Sequence, residues 1–328
     1  MHGPGAIGTN PFIPAFYNET QDAPQAPAPI ASAAEESLGP QLLHSGEGSP
    51  WVPQGQGYDA DRGEILTSYY GGRSDGVLLS IQAASQDPDS TAEVRSVILG
   101  GAKADSALDI SPAPNKGGGV ATNGEYVYLA DTEAVYVYRR ADIDATDNTC
   151  STPVAPAHVI PMPEGFSASY LTVQGDQLYV GSFVKNLWDP FGLTPSKTPE
   201  LRRFDINAAD GSFDPANPSG RIETPYNAQG AAITEQGILF TTSYSNDRVA
   251  SPHHLVFQSF DGPAQAFEAE PASQAQSVYD LDYYAEGVNI INGEVWVTYE
   301  SGADKYLGKA EEDRDHIQRI PLDRLDDH

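Results

Sequence analysis

Glu286 and His44 are the strongest candidates in this sequence for a general acid or base. Glu286 opens the segment EGVNIINGEVWVTYESGA, and His44 opens HSGEGSPW, which also contains Glu47 and Trp51. A carboxyl group in a narrow, partly dry opening has a raised pKa, so it can hold or release a proton near neutral pH. We therefore interpret Glu286 and His44 as candidate catalytic residues of a hydrolase or lyase that acts on a sugar, a lactone or a similar polar substrate.

Other polar and aromatic residues form a candidate ligand-binding set. Gln54 and Gln229 precede apolar segments in the same way as Glu286 does. The insertion VKNLWDPFGLTPSKTPE at 184–200 adds rigid aromatic side chains, which form either a lip beside a binding site or a hydrophobic cluster on the rim. The candidate ligand-binding residues are Glu47, Trp51, Gln54, Trp188, Phe191 and Gln229. This set suits a polar small molecule, a glycan or an extracellular protein partner.

No complete catalytic motif accompanies these residues. The sequence contains no GxSxG, GxxxxGK[ST] or HExxH motif and no EF-hand loop. Glycoside hydrolysis normally needs two carboxyl groups that face each other, but Gln54, Gly118, Ala168 and Gln229 occupy the positions equivalent to Glu286. A non-catalytic binding protein is therefore the favoured prediction, and an enzyme is the alternative. A third interpretation gives Glu286 only the structural task of holding backbone amides or water.

A second group of polar residues follows the same apolar segments. It includes Tyr70, Asp131 and Glu300, which lead into loops that contain Asp304 and Lys305. This group is predicted to lie at the far ends of the inner strands, away from Glu286. We accordingly expect a separate, solvated rim of mixed charge there.

Five copies of one pattern explain the spacing of all these residues. Each copy has a glycine, a turn and an apolar strand, at 54–70, 118–131, 168–183, 229–244 and 286–303. Further extended segments rich in Val, Tyr, Phe and Ile follow each copy, and their alternation indicates strands. The third segment is predicted at Val94–Leu99, Ala157–Met162, Arg221–Thr224 and Ala266–Ala269. A period of roughly 50–65 residues is typical of a four-stranded antiparallel unit. The sequence therefore predicts an all-β, five-bladed β-propeller.

The two ends of the chain have different predicted roles. The fifth copy has no outer strand of its own, so we expect Gly39–His44 to complete the last blade and close the ring. Residues 37–328 would then form a single propeller domain. Residues 1–36, rich in Pro and Ala, are predicted to be a tail or linker. Short helical turns are expected only at Ile30–Leu38 and Ala310–Asp315.

Composition restricts the partners and the location. The net charge of −28 disfavours nucleic acid and anionic membrane surfaces. Cys150 is the only cysteine, which excludes an internal disulfide and a cysteine-based zinc cluster. No apolar run is long enough to span a membrane. No signal peptide is visible, yet the balance of residue types suggests an exported, extracellular or cell-surface protein whose leader is absent from this chain, and we expect a monomer.

The copies QGAAITEQGILFTTSY and EGVNIINGEVWVTYESGA resemble those of secreted bacterial β-propellers with degenerate blades, of the YVTN/NHL-like and gluconolactonase-like kinds. The resemblance covers residues 39–328 and implies architecture more strongly than activity. Lactonase-type propellers hold calcium in the channel through a Glu and an Asn/Asp set. The resemblance therefore implies a calcium site at Glu286 and Asn289, although the full set is not matched. Five-bladed glycosidases carry acids on their inner strands, where this chain has mainly Gln, Gly and Ala.

Overall fold

The computed structural model describes residues 37–72, 75–85, 87, 94–101, 113–185, 197–243, 253–310 and 312–325. Twenty strands dominate it. In chain order they are β1 (Ser37–Gln41), β2 (Val52–Asp59), β3 (Glu64–Tyr70), β4 (Gly76–Ala83), β5 (Arg95–Gly100), β6 (Gly119–Thr122), β7 (Tyr126–Asp131), β8 (Ala134–Arg139), β9 (His158–Pro161), β10 (Tyr170–Gln174), β11 (Gln177–Gly181), β12 (Glu200–Asp205), β13 (Gly220–Glu223), β14 (Ala228–Ile233), β15 (Gly237–Thr242), β16 (His254–Ser259), β17 (Gln276–Asp280), β18 (Ala285–Ile291), β19 (Glu294–Tyr299) and β20 (His316–Pro321).

These strands form five four-stranded antiparallel sheets, which confirms the predicted five-bladed propeller. Blades one to four are β2–β5, β6–β9, β10–β13 and β14–β17, and blade five contains β18–β20 together with β1. The inner strands β2, β6, β10, β14 and β18 contact one another in sequence around the axis, and β18 returns to β2. One helix, α1 (Arg140–Asp144), follows β8.

Ring closure by the N-terminal strand is confirmed, with a shift in position. The outer strand of blade five is β1, which begins at Ser37 rather than Gly39 and ends at Gln41. It pairs antiparallel with β20, and Ser37 lies opposite Arg319. The first and last strands thus belong to one sheet, and β1 covers the edge of β20 that would otherwise be unpaired.

The hydrophobic core is divided into five clusters, each between two neighbouring blades. Alternate side chains of β3 show how one strand serves two clusters. Ile65 packs with Trp296 between blades one and five, whereas Leu66 packs with Leu129 between blades one and two. Because successive side chains of a strand point to opposite faces, a central strand buried on both faces needs a continuous apolar run. This requirement explains segments such as EILTSYY and EVWVTY.

Two local predictions were wrong. The outer strand of blade four is Gln276–Asp280, not Ala266–Ala269. Pro263 lacks an N–H and precedes a 3-10 turn, Ala264–Ala266, so this stretch cannot supply a regular ladder. Helix α1 was not predicted, and the described part of Ala310–Asp315 forms no helix. Residues 1–36, predicted to be a tail, lie outside the described part of the chain.

Glycines on the inner strands allow the blades to approach closely at the axis. A Cβ atom added to Gly55 would lie 2.5 Å from the Cα of Gly119 in blade two, and one added to Gly287 would lie 2.4 Å from the Gln56 backbone nitrogen in blade one. The cavity that these strands enclose is about 10 Å³, which is room for roughly one water molecule. The axis is therefore almost filled, and a ligand must bind at an end of the ring.

The substitution Gly287→Ala is expected to lower the free energy of unfolding by about 3 kcal/mol, because the new methyl group overlaps backbone that cannot rotate away. Gly165→Ala is the matched control, since Gly165 has φ +86° with no atom within 4 Å of its added Cβ. Only left-handed strain applies there, and it costs about 1 kcal/mol. Urea unfolding of both variants measures the difference, and equal losses would contradict close packing at the axis.

Among the helices of the described residues, none has the length and apolar character that crossing a membrane requires.

Candidate functional site

The starts of the inner strands and the ends of the second strands lie at the same end of the ring, which we call the mouth. Antiparallel pairing places Ala285 opposite Tyr299 and Val52 opposite Tyr70. Glu286 directly follows Ala285, and Glu300 directly follows Tyr299. Both glutamates therefore lie at the mouth. The prediction that Glu300 lies at the far end was wrong, because the second strand of a hairpin ends beside the start of the first.

β-Bulges present three polar side chains at this mouth. The register of β2 shifts between Pro53 and Gln56, that of β14 between Ala228 and Gly230, and that of β18 between Ala285 and Val288. The residues that the register skips are Gln54-Gly55, Gln229 alone, which Gly230 follows, and Glu286-Gly287. Bulges re-aim side chains at the ends of strands, and the glycine in each pair accommodates the neighbouring blade.

Hydrogen bonds join the two glutamates to the glutamines. The Gln229 Nε2 donates to Glu286 Oε1 at 3.1 Å, and the Gln54 Nε2 donates to Glu300 Oε1 at 2.5 Å. The Tyr70 hydroxyl also donates to Glu300 Oε1, at 3.3 Å. The hydrogen bonds thus form two groups, Gln229 with Glu286 and Gln54 and Tyr70 with Glu300, and the charge of Glu300 acts on Glu286.

The backbone that carries the two glutamates is held by neighbouring strands. The Thr241 hydroxyl of blade four donates to the Glu286 carbonyl. The Glu300 N–H donates to the Tyr284 carbonyl at 3.0 Å, and Tyr284 adopts a left-handed φ of 67°. Such a conformation is uncommon for a non-glycine residue and requires support from its surroundings. The site is therefore pre-formed by the blades rather than by a loose loop.

Burial dominates the protonation of the pair. Burial raises the pKa of Glu286 well above its ordinary value, and the neighbouring charge of Glu300 raises it further. Burial also raises the pKa of Glu300 to about 7, although Lys305 and the Tyr70 hydrogen bond favour its charged form. Two carboxyl groups that repel each other in a dry site share protons, so burial and repulsion favour the protonated forms of the pair.

Two lysines flank the pair. The Lys305 Nζ lies 2.7 Å from the Tyr70 hydroxyl and 4.8 Å from the centre of the Tyr306 ring. Lys116 precedes β6, and its charge favours the ionised forms of Glu286 and Glu300. Its own backbone N–H donates to Asp131 Oδ1 at 2.8 Å. The carboxylate of Asp131 thus fixes the loop that carries Lys116.

The structure places the other predicted catalytic residue, His44, beside the outer strand of blade one. Its Nε2 is 2.7 Å from the Ser96 hydroxyl, and its ring packs edge-on against Tyr69. Burial lowers the pKa of His44, which favours the neutral ring. These contacts do not bring His44 to Glu286, and a catalytic role for it stays a prediction.

The remaining predicted ligand-binding residues are at the periphery or undescribed. The Trp51 indole lies against Gly72, where an added Cβ would meet it at 2.3 Å. Glu47 is exposed, next to Gly48, whose N–H donates to Asp304. Trp188 and Phe191 lie outside the described residues. Binding by any of these side chains stays a prediction.

Asn289 lies deeper in the ring than Glu286 and is engaged by blade one. Its Nδ2 donates to the Gln56 carbonyl at 2.8 Å. Within the described ranges, no three or more His, Cys, Asp or Glu side chains gather as a metal-binding group. Glu286 and Glu300 together offer two carboxylates, and a calcium site at Glu286 and Asn289 stays a prediction.

Comparisons with known proteins indicate fold alone. No protein-family description and no curated protein matches the chain. Among solved structures, a gluconolactonase from Xanthomonas campestris is 12% identical, with a TM-score of 0.40, over 92% of this chain and 88% of that one. A β-xylosidase is 9% identical, with a TM-score of 0.45, over 88% and 94%. A GH43_1 enzyme from Xanthomonas citri is 12% identical, with a TM-score of 0.44, over 87% and 90%.

The chain is thus similar to propellers of the gluconolactonase-like and GH43 kinds, while the five sheets themselves show the five-bladed architecture. Similarity at these identities and TM-scores carries no argument about activity. Any functional conclusion must come from the residues at the mouth.

Glu300, Tyr70 and Lys116 are the mouth residues that the sequence analysis did not join to Glu286. A usable signal was present, since Tyr70 ends β3 and Glu300 follows β19, which pair with inner strands, and Lys116 precedes the inner strand β6. Antiparallel pairing of the first two strands in each copy would have placed both groups of polar residues at the same end of the ring.

Proposed function

We propose that the mouth binds a sugar-like polar molecule and that Glu286 and Glu300 perform acid–base chemistry on it, as in a hydrolase or lyase. The observation that supports this proposal is the second buried carboxyl group. Glu286 and Glu300 are 5% and 7% exposed, lie at the same mouth, and influence each other's charge. Lack of a second acid was the main argument against catalysis, and Glu300 removes that argument.

A difference between the two pKa values would give each carboxyl group its own role. A pair whose surroundings separate the two pKa values supplies one acid and one base. Glu286, whose pKa burial raises well above its ordinary value, would donate its proton to the leaving oxygen of a glycosidic or lactone bond. Glu300 would accept a proton from the attacking water as its oxygen bonds to carbon. In a lyase, Glu300 would instead remove a proton from carbon while Glu286 protonates the leaving oxygen.

The positioning groups also fit this chemistry. Gln54 and Tyr70 donate to the same oxygen of Glu300, which fixes the orientation of that carboxylate. Burial raises the pKa of Tyr70, so its hydroxyl remains a neutral donor. Because the axis below is nearly filled, a substrate would stop above the pair.

A purely binding function is the second candidate. The Gln229 and Gln54 amides already satisfy oxygens of Glu286 and Glu300, as they would in a structural carboxyl pair. In that case the mouth recognises a ligand without transforming it.

Hydrolysis of a panel of aryl glycosides and sugar lactones would separate the two candidates. For an active compound, Glu286→Gln and Glu300→Gln are each expected to lower kcat about a hundredfold or more, because general acid–base catalysis contributes about that factor. The wild-type rate should rise with pH near 7, where Glu300 loses its proton. Glu133→Gln, an exposed glutamate in the connection after β7, is the matched control.

Retention of full activity in both variants would overturn the catalytic proposal. Binding of a panel compound without turnover would favour the second candidate instead.

A further inference from the structure

The lysines of this acidic protein are concentrated at the mouth. The chain has six lysines, and Lys103 lies outside the described residues. The other five occupy connections between strand ends at the mouth: Lys116 between β5 and β6, Lys185 and Lys197 between β11 and β12, and Lys305 and Lys309 between β19 and β20. None of the described residues in the turns at the opposite end of the ring is a lysine.

The opposite end carries its cations as arginines in ion pairs. Arg62, Arg95 and Arg140 all contact Asp144 there, at 2.6 to 3.0 Å. Arginine suits fixed, multi-pronged pairs, whereas lysine is a flexible point charge. The described lysines thus lie only at the mouth, which also has the Arg314–Asp282 ion pair, whereas the cluster at the opposite end consists of arginines.

Acidic side chains at the mouth are largely occupied by other donors. Asp131 accepts the backbone N–H groups of residues 115–117. Asp304 accepts the Gly48 N–H, and Asp313 accepts the Gly308 N–H. Asp282 pairs with Arg314. These carboxylates hold loops in place, so they do not serve as partners for the lysines.

Lys116 and Lys305 approach the glutamate pair from different blades. Lys305 reaches Tyr70, the hydroxyl that donates to Glu300. Lys116 is exposed, and its loop is fastened to blade one because the Ser68 hydroxyl donates to the Gly117 carbonyl at 2.7 Å. Within the described residues, neither ammonium group makes an ion pair with a carboxylate. Two positive charges thus lie near the buried pair.

We infer that the ligand of the mouth carries an anionic group, a carboxylate or a phosphate, which lies between Lys116 and Lys305 while its polar body lies over Glu286 and Glu300. This inference rests on the proposed function, since it names the substrate class of the same site. Ammonium groups bind carboxylate and phosphate oxygens through charge-assisted hydrogen bonds. Charged groups around a concave opening also raise the local concentration of an oppositely charged ligand.

Calorimetric titration of the full chain with D-glucuronate, D-glucose 6-phosphate and D-glucose tests the inference. At least one anionic probe is expected to bind about tenfold more tightly than D-glucose, and the tighter of the two identifies the acid group. Lys116→Gln and Lys305→Gln should each weaken that probe about fivefold to tenfold, as loss of a charge-assisted hydrogen bond does. Lys197→Gln, at the mouth but in the connection between β11 and β12, is the control, and added salt should weaken binding.

Three results would overturn the inference: no binding of either anionic probe at millimolar concentration, equal affinity for D-glucose, or unchanged affinity in both lysine variants. The outcome is separable from catalysis because no turnover is measured. Anion preference without activity in any assay would leave this inference standing and contradict the catalytic proposal. Activity on neutral substrates alone would contradict this inference and leave the catalytic proposal standing.

Discussion

Replacement of Arg140 by methionine is expected to lower the free energy of unfolding by about 3–5 kcal/mol, because it removes the nearest cation of the buried Asp59 carboxylate. The Arg140 side chain is 1% exposed, and its Nη1 lies 3.2 Å from Asp59 Oδ2, which is itself buried. The same guanidinium contacts Glu64 at 2.5 Å and Asp144 at 3.0 Å. Methionine keeps much of the side-chain volume, so the loss reports charge pairing rather than a cavity.

The adjacent residue provides a matched control for this variant. Arg139 is exposed, and Arg139→Met is expected to change the free energy of unfolding by less than about 0.5 kcal/mol. Urea unfolding followed by circular dichroism measures both. Adding Asp59→Asn to Arg140→Met should recover part of the lost stability, since the unpaired buried charge is then removed. A small loss in Arg140→Met, similar to that of the control, would show that the network contributes little.

The same network should confer resistance to acid. Burial opposes ionisation of Asp144, but hydrogen bonds from Arg62, Arg95 and Arg140 outweigh it and hold the pKa of Asp144 well below its usual range. A carboxyl group with a depressed folded-state pKa stabilises the fold above its unfolded pKa, and that contribution is lost only as the pH falls through the folded value. This end of the ring thus gains stability from ionised carboxylates.

The contribution of Glu300 to the free energy of unfolding depends on pH in the opposite direction. Its loss is the second large effect that we expect. Its folded pKa of about 7 lies above its ordinary value of 4.5. The protonated form is therefore favoured in the fold, and this stabilising contribution is complete below the unfolded pKa. It is lost as the pH rises through about 7. The wild-type free energy of unfolding should fall by roughly 3 kcal/mol between about pH 5 and about pH 8.

Glu300→Gln removes the titrating group while keeping an oxygen that can accept from Gln54. We expect this variant to lose most of the pH dependence and to be more stable than the wild type at about pH 8. Glu133→Gln serves as the control and should retain the wild-type slope. An unchanged slope in Glu300→Gln would mean that Glu300 is ionised throughout.

Local sequence signals predicted the architecture well. Turn glycines and two-faced apolar runs recur five times, and each blade needs little more than its own segment and its neighbours to form. Closure by the N-terminal strand could be predicted because only the fifth copy lacked an outer strand. The outer strand of blade four was misplaced because two prolines, Pro263 and Pro271, direct the chain into 3-10 turns before it can pair.

The site was harder to predict because it depends on register and on distant contacts. Glu286, Gln54 and Gln229 were found from their shared place before an apolar strand. Glu300 was missed because its position beside Glu286 follows from hairpin pairing rather than from spacing along the chain. The contact between His44 and Ser96 joins segments that no local pattern relates. Roles in binding, catalysis, metal coordination and export all stay predictions.

Closure of the last blade also constrains the order of events during synthesis. Strand β1 leaves the ribosome first, but its partner β20 is made only when residues 316–321 have been added. Until then, β1 has no native ladder, and the nascent chain exposes open strand edges that favour aggregation. Contacts this distant in sequence form slowly. Ring completion should therefore be a late step in folding, and a chaperone that shields strand edges should increase the yield of folded protein.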